Sequence, residues 1–244
     1  MLVTTTLVKS PDDVRAQLAL KTCLTAGELG YSLVVVDGGS STLFRGLLTD
    51  TGALVVPQQE PGMGASRRQA LNIALTLGAD VIVAFEPEKH TLVPLLGPCL
   101  EPLLNGDADM VIPRRKSLDS YPEYQRWSER AGNEVLGKIL GRQDLDMFFG
   151  PRIMNATVAA HMATYNGQCG LNTYGDNWEI MYVPVLQLLR QSSVRIRSVV
   201  VDYHHPPEQF CEEDDPAMRQ KRDTQRAVIT EAMAREAERL GACL

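Results

Sequence analysis

Cysteine and long apolar runs are both scarce in this sequence. Its five cysteines are odd in number, scattered and without C-x-x-C spacing, which favours free thiols in a reducing compartment and excludes a cysteine zinc site. No run of about 18 apolar residues occurs, so we expect no transmembrane helix. The first ten residues, MLVTTTLVKS, lack a basic stretch followed by a long apolar one. We therefore expect no signal peptide and a cytoplasmic protein.

Excess positive charge is absent as well. The formal net charge is −6, which gives no support to nucleic-acid or anionic-membrane binding. The hydrophobic content of 44% and charged content of 22% are ordinary for a globular protein and argue against disorder. A chain of 244 residues is the right size for one α/β domain with a full core.

The first half alternates strands with helices, a pattern that predicts a parallel sheet. Apolar runs such as LVVV and VIVAF are typical of strands covered on both faces. Ser10 and Pro11 are expected to begin the first helix. Strands are predicted at 2–8, 32–37, 53–58, 80–85 and 108–113, and further helices at 65–77 and 91–104.

The second half is less regular. Strands are predicted at 146–154 and 194–203, a loop at 166–174, and helices at 121–141, from Asn155 to about 165, and at 175–191. The helix at 121–141 carries an apolar stripe of Trp127, Ala131, Val135 and Ile139. Asp215 and Pro216 begin a closing helix with an apolar face of Ile229, Met233, Ala237 and Leu240.

Charged residues gather where the predicted strands end, and ligands of open α/β sheets bind at that edge. They include Lys9, Asp37, Glu86, Glu88 and Arg114. Glu86 and Glu88 could point the same way if the chain is extended there, and two such carboxylates repel unless a cation lies between them. The alternative is a solvated loop in which the acids only end the strand, or one in which Lys89 neutralises an acid.

A glycine-rich turn opens the helix after the third predicted strand. Gly62 and Gly64 precede Arg67 and Arg68 in PGMGASRRQAL, where exposed N–H groups and guanidinium groups suit a diphosphate. The dinucleotide fingerprint G-x-G-x-x-G is absent, and a plain tight turn is the alternative.

In this order, VDGGSS, GMGASRRQAL and VIVAFEPEKH resemble the nucleotide-sugar-binding half of GT-A glycosyltransferases. The resemblance implies that Asp37 contacts the nucleobase and that the Gly62–Arg68 turn lies near the donor, with Lys9 beside it. It also implies that Glu86 and Glu88 stand where the family has a D-x-D element, which holds Mn²⁺ or Mg²⁺ on the diphosphate. Glutamate at both positions, and TLVKS in place of the usual first-strand contact, depart from the family pattern.

Later segments resemble the retaining branch, the glucosyl-3-phosphoglycerate synthase and mannosylglycerate synthase type. That resemblance implies acceptor contacts from Arg114, Arg115 and Lys116, and a third metal ligand from His204 or His205. It also gives Asp176 or Glu179 a catalytic role in orienting hydroxyl groups. A solvated basic turn, an exposed histidine turn and acids favoured by a helix dipole are the respective alternatives.

We therefore expect one α/β domain of the GT-A type over 1–244, with a mostly parallel central sheet flanked by helices. A nucleotide-sugar-binding half would cover 1–113, an acceptor half 114–210, and a C-terminal helix 211–244. The expected function is transfer of a sugar from a nucleotide-diphosphate sugar to a small anionic acceptor, with retention. The alternatives are an inverting transferase with Asp176 as base and a non-catalytic nucleotide-sugar sensor or subunit. A homodimer through the last helix is also possible.

Overall fold

A mostly parallel β-sheet organises the computed structural model, which describes residues 1–8, 10–169 and 172–241. Among these residues the sheet has seven strands in the order β3-β2-β1-β4-β6-β5-β9, and β6 runs antiparallel to both of its neighbours. A small antiparallel hairpin, β7-β8, stands apart. The strands are β1 Leu2–Thr6, β2 Leu33–Asp37, β3 Leu54–Pro57, β4 Val81–Ala84, β5 Met110–Arg115, β6 Arg152–Asn155, β7 Gln168–Cys169, β8 Asn172–Thr173 and β9 Ile196–Val201.

Helices cover both faces of the sheet. They are α1 Val14–Glu28, α2 Thr42–Asp50, α3 Met63–Thr76, α4 Gly97–Leu104, α5 Glu123–Leu140, α6 Ala156–Ala163, α7 Val183–Leu189 and α8 Pro216–Arg239. Short 3₁₀ segments occur at His90–Leu95, Met147–Phe149, Glu179–Met181 and Pro207–Asp214. In the described ranges no helix is both long and apolar enough to cross a membrane.

The core consists of two apolar clusters, one on each face of the sheet. Leu2 packs into the cluster beneath α1, α2 and α4, whereas its neighbour Val3 packs into the cluster beneath α3, α6, α7 and α8. Successive residues of a strand face opposite sides, so a sheet covered on both faces needs continuous apolar strands. The expected α/β class with a mostly parallel sheet is confirmed.

Several predicted helix signals are present in the structure. The side chain of Asn155 caps α6 by accepting from the Val158 N–H at 2.9 Å, and that of Asp215 caps α8 by accepting from the Ala217 N–H at 2.9 Å. On α8 the predicted face is buried at Ile229, Met233 and Ala237, as the pattern of the closing helix indicated.

Other boundaries were wrong. Helix α1 begins at Val14 and is capped by Asp13, not Ser10, because residues 10–12 form a turn in which the Asp13 N–H donates to the Ser10 carbonyl. The segments predicted as 91–104, 146–154 and 175–191 each begin with a 3₁₀ turn before the α-helix or strand. Pro94 lies inside the first of these turns, and Gly150 and Pro151 follow the second.

The predicted apolar stripe of α5 was wrong at Trp127 and Val135, whereas Ile139 is buried as expected. Trp127 and Val135 are 55% and 43% exposed, while Gln125, Ser128 and Glu129 are buried on the opposite side. Polar residues lie on the inner face of this part of α5 because it covers Arg115, a buried arginine of β5 that pairs with Glu129.

The two predicted halves of the domain share one sheet. The boundary expected at residue 113 falls inside β5, and β6 from the later half lies between β4 and β5. One sheet therefore joins the residues of both halves. The homodimer stays a prediction.

Candidate functional site

A cavity of about 800 Å³ opens at the carboxyl ends of β1–β4. Its walls come from the residues that follow these strands, namely 5–8, Gly38, 58–63 and 86–89. Further walls come from α5, the 148–149 segment, Trp178, His205 and the first half of α8. This is the edge at which open α/β sheets bind their ligands, and the volume suits a substrate-sized molecule.

Glu86 and Glu88 both line the cavity, but they lie in a turn and not in an extended strand. The Lys89 N–H donates to the Glu86 carbonyl at 3.2 Å, which closes the turn. Side-chain alternation therefore does not apply, and the two carboxylates take different partners. Glu88 accepts from Arg15 of α1 at 3.2 Å, whereas Glu86 lies 4.0 Å from both Arg67 and Lys89.

The Glu86 carboxylate rests against Gly150, which has a φ of 101°. A Cβ at position 150 would lie 2.2 Å from Glu86 Oε1, so only glycine leaves room for this carboxylate. Beneath it, Arg152 is fully buried and donates to four backbone carbonyls. Burial lowers the pKa of Arg152, and the field of Tyr182 and Glu86 opposes that effect.

Lys89 projects between Glu86 and an aromatic wall. Its Nζ lies 4.9 Å from the centre of the Phe149 ring and 5.5 Å from that of Tyr203. Burial opposes its charge, yet Tyr121, Tyr203 and the nearby carboxylates raise its pKa above the usual range. Lys89 is thus a fixed cation in the cavity wall.

The histidine pair divides between surface and cavity. His204 is exposed and turned toward Asp202, with Nε2 3.9 Å from the Asp202 carboxylate, so it does not line the cavity. His205 lines the cavity and stacks on Tyr121 with ring centres 4.4 Å apart. Within the part of the chain that the structure describes, neither ring nitrogen of His205 has a hydrogen-bond partner. Burial, with Lys89 and Arg222 nearby, lowers its pKa to about 3, so the ring is neutral.

The glycine-rich turn at the start of α3 faces two ways. Gly62, with a φ of 106°, and Arg67 line the cavity. Gly64 and Arg68 instead contact the 175–176 segment: the Gly64 N–H donates to the Asp176 carbonyl at 3.2 Å, and Arg68 pairs with both oxygens of the Asp176 carboxylate. Of the four predicted donor residues of this turn, two therefore face the cavity.

The two predicted catalytic acids do not line the cavity. Asp176 is occupied by Arg68, and Glu179 is buried with Oε2 accepting from the Asn177 N–H at 3.0 Å. Asp37 is buried too, and its carboxylate accepts from Thr6 at 3.0 Å and from the Ser40 N–H at 2.9 Å. These bonds hold the turn that presents Gly38 to the cavity. Lys9, the remaining predicted donor contact, lies outside the described residues.

The predicted acceptor residues lie in or just after β5 and do not line the cavity. Alternation along the strand leaves Arg114 exposed and buries Arg115, which pairs with Glu129 and, at 2.7 Å, with Asp146. Lys116 is exposed and lies 3.7 Å from Asp202. Two buried carboxylates occupy the guanidinium group of Arg115, so its acceptor role stays a prediction that this pairing disfavours.

The sequence interpretation missed the cationic residues of α8. Lys221 and Arg222 line the cavity together with Gln225, opposite the 86–89 turn. Arg15 of α1 was missed as well. The basic stretch RQKR at 219–222 could have indicated them. It lies near the start of the closing helix, which was interpreted only through its cap and its apolar face.

A metal ion would find few protein ligands here. Over 1–8, 10–169 and 172–241, no group of three or more His, Cys, Asp or Glu side chains could hold one. Among the described residues, two side chains of the cavity wall carry buried atoms without a hydrogen bond, namely Oε2 of Glu86 and both ring nitrogens of His205. This donor set fits a divalent cation only if a bound ligand completes the coordination shell.

The sheet order, the antiparallel β6 and the strand-end cavity define an α/β fold of the GT-A type. No protein-family model and no curated protein matches the chain. Solved structures of glucosyl-3-phosphoglycerate synthase from Mycobacterium tuberculosis share the fold. The complex with phosphoglyceric acid matches with a TM-score of 0.62 and 14% identity, over 100% of this chain and 81% of that chain.

Two further complexes of that enzyme also match. The one with Mn²⁺, UDP-glucose and phosphoglyceric acid has a TM-score of 0.61 and 14% identity, over 96% of this chain and 80% of that chain. The one with Mn²⁺, UDP-glucose and glycerol 3-phosphate has a TM-score of 0.56 and 15% identity, with the same coverage. At identities this low, the structural similarity establishes the fold alone, and this is the fold that the sequence motifs predicted.

Proposed function

We propose that the chain is a glycosyltransferase that moves a sugar from a nucleoside diphosphate sugar to a small anionic acceptor. The observation that carries this proposal is the strand-end cavity, which brings Gly62 at the start of α3 together with Arg67 and Lys89. Exposed N–H groups at a helix start and fixed cations suit a diphosphate. The structural neighbours, which bind UDP-glucose and phosphoglyceric acid, support the same substrate classes.

Retention by front-face attack is the mechanism we infer. The bond between the sugar C1 and the phosphate oxygen breaks, the diphosphate leaves with the electron pair, and the acceptor oxygen bonds to C1 on the same face. The acceptor proton passes to the leaving phosphate. Arg67 and Lys89 would stabilise the charge that develops on the diphosphate. The inverting alternative needs Asp176 as a base, and its pairing with Arg68 outside the cavity disfavours that role.

Mn²⁺ or Mg²⁺ belongs to this proposal through Glu86 and the neutral ring of His205, which would hold it once a bound diphosphate completes the coordination shell. Glu88, which pairs with Arg15, would lie beside this site. Mn²⁺ accompanies UDP-glucose in the neighbouring structures. When bound, such an ion supplies positive charge to the leaving group. His204, exposed and turned to Asp202, is left out of this set.

Nucleotide binding is the first test. UDP, GDP and ADP are added at millimolar concentration, and the melting temperature is measured. A ligand at 100 times its Kd stabilises the native state by about 2.7 kcal/mol, so one nucleotide should give a clear rise. Arg67→Gln should remove most of it, whereas Arg195→Gln, an exposed arginine paired with Asp109 away from the cavity, should not. No shift with any nucleotide would contradict the proposal.

Turnover separates an enzyme from a sensor. UDP release from UDP-glucose is followed with and without 3-phosphoglycerate or glycerol 3-phosphate. Acceptor-dependent release supports a transferase. Tight nucleotide binding without release under any condition would favour the sensor, which the absence of Asp176 and Glu179 from the cavity wall would suit.

The acceptor side of the cavity is the wall formed by α8. We propose that Lys221 and Arg222 hold the anionic group of the acceptor, in place of Arg114, Arg115 and Lys116. Arg222→Gln should raise the acceptor KM about tenfold with little effect on kcat, since the contact contributes uniform binding. Arg114→Gln is the matched control and should leave KM unchanged. A higher KM in the control alone would return the acceptor to the end of β5.

A further inference from the structure

Positive charge dominates the wall around Glu86 even without a metal ion. Arg67 lies 4.0 Å from Glu86 Oε1 and Lys89 lies 4.0 Å from Oε2, so two cations flank one carboxylate. Arg152 adds a third positive charge beneath it and has only backbone carbonyls and a methionine sulfur as hydrogen-bond acceptors. Glu88, the other acid, already has Arg15 as its partner.

This charge balance favours an anion over a cation as the first ligand. A divalent ion approaching Glu86 meets three positive charges, whereas a diphosphate meets an excess of positive charge in a partly buried wall, where screening is weak. The described residues also offer no group of three metal-binding side chains. A divalent cation would therefore need oxygen atoms of a bound ligand to complete its coordination shell.

Lys89 is the cation best prepared for such an anion. Its ammonium has three N–H donors, and none of them makes a hydrogen bond within the described part of the chain, where its ion-pair partner is Glu86 Oε2 at 4.0 Å. The Phe149 and Tyr203 rings hold it from the other side. An ammonium that is kept in place by a carboxylate and two rings, with its donors unused, loses little freedom when a phosphate oxygen arrives.

We propose that Lys89, together with Arg67, binds the donor diphosphate before any divalent cation enters. This inference rests on the proposed nucleotide-sugar function and adds the order of binding. Nucleotide binding is then independent of metal, while metal binding requires the nucleotide. Lys89 acts as a binding residue that touches the phosphate oxygens.

Calorimetric titration tests this order with the full chain. UDP is titrated into the protein in EDTA and, separately, with Mn²⁺ present, and inorganic pyrophosphate is titrated in EDTA. We expect UDP and pyrophosphate to bind in EDTA, with the Kd for UDP within about threefold of its value with Mn²⁺. Mn²⁺ titrated alone should give no binding heat, and Mn²⁺ titrated into UDP-loaded protein should bind.

Three variants complete the experiment. Lys89→Met keeps the length without the charge and should weaken UDP binding in EDTA about tenfold or more, whereas Lys89→Arg should restore most of it. Lys138→Met is the control, since Lys138 is exposed on α5 and paired with Glu134. Melting temperatures show whether each variant is folded.

The outcomes are distinct. UDP binding that requires Mn²⁺ overturns the order of binding, and UDP binding in EDTA that a folded Lys89→Met variant leaves unchanged overturns the role of Lys89. Neither result contradicts the proposed function. If Lys89→Met unfolds, the dependence of UDP binding on Mn²⁺ in the native chain decides whether the nucleotide binds before the metal. Absence of binding by UDP, GDP and ADP in both buffers overturns this inference and the proposed function together.

Discussion

Gly64 shows how a single missing side chain positions a segment far along the chain. It lies in the first turn of α3, where the Asp176 backbone and carboxylate pack directly onto its Cα. A Cβ there would lie 1.8 Å from Asp176 Oδ1 and 2.7 Å from the Asp176 carbonyl oxygen. The close approach allows Arg68, one turn later on the same helix, to pair with Asp176. Glycine at 64 thus fixes the segment that carries Trp178 into the cavity wall.

Gly64→Ala should therefore destabilise the fold by roughly 2–4 kcal/mol, because the new methyl group overlaps both backbone and side chain of Asp176. The control is Gly46→Ala in α2, where nothing lies within 4 Å of the added Cβ. Alanine there should be neutral or stabilising by up to about 1 kcal/mol, since it is the better helix former. Urea unfolding of both variants gives the comparison, and equal free energies of unfolding would show that the 175–176 segment simply moves aside.

Sequence patterns located individual site residues only where the local secondary structure determines which way their side chains point. Gly62 and Arg67 follow from a glycine-rich helix start, and both line the cavity. Asp176 and Arg68 are 108 positions apart, and nothing local to either shows that they neutralise each other. Their use as separate catalytic and donor residues stays a prediction that the pairing disfavours.

At the scale of elements, the extra two residues of β5 decide what the basic stretch does. A strand that ends at 113 leaves Arg114 and Arg115 in a loop, whereas a strand that continues to Arg115 sends alternate residues to opposite faces. Arg115 then points under the first turns of α5, where the buried residues Gln125, Ser128 and Glu129 are polar. The apolar stripe predicted for α5 was therefore wrong in this part of the helix, because helical periodicity does not reveal a buried ion pair.

Asp146→Ala should cost about 3–5 kcal/mol, the usual effect of removing one partner of a buried ion pair. Arg115 would keep Glu129 but lose the two bonds of 2.7 Å that it makes to Asp146. Glu134→Gln serves as the control because its pair with Lys138 is exposed, and it should cost less than about 1 kcal/mol. The free energy of unfolding in urea distinguishes them. A small cost for Asp146→Ala would mean that Glu129 alone compensates the buried guanidinium group.

At the scale of the whole molecule, stability should depend on pH through His205. Its pKa is lowered to about 3 in the fold by burial, with Lys89 and Arg222 adding to the effect, and the unfolded chain returns it to about 6.5. Between these values only the unfolded state binds the proton. Stability should accordingly decrease as the pH falls from about 6.5, by up to roughly 1.4 kcal/mol per unit from this group.

Urea unfolding at several values between pH 4.5 and 7.5 measures that slope. His205→Phe keeps a ring against Tyr121 and should flatten the slope below pH 6.5. His204→Phe changes the exposed neighbour and should leave the slope as it is in the native chain. An unchanged slope in His205→Phe would mean that water reaches the ring freely.

The insertion of β6 between β4 and β5 has a consequence for how the chain is made. As synthesis proceeds from the N-terminus, β1, β2 and β3 can pair early, but the outer edge of β4 stays uncovered until residues 152–155 emerge. Pairings between distant residues form slowly, and an open apolar edge invites association with other chains. The ligand cavity is likewise completed only after β6 has been synthesised. The turn at 86–89 receives Gly150 and Arg152 only when β6 docks, so a nascent chain ending near residue 113 would carry every predicted donor-binding residue and no finished place to hold a nucleotide.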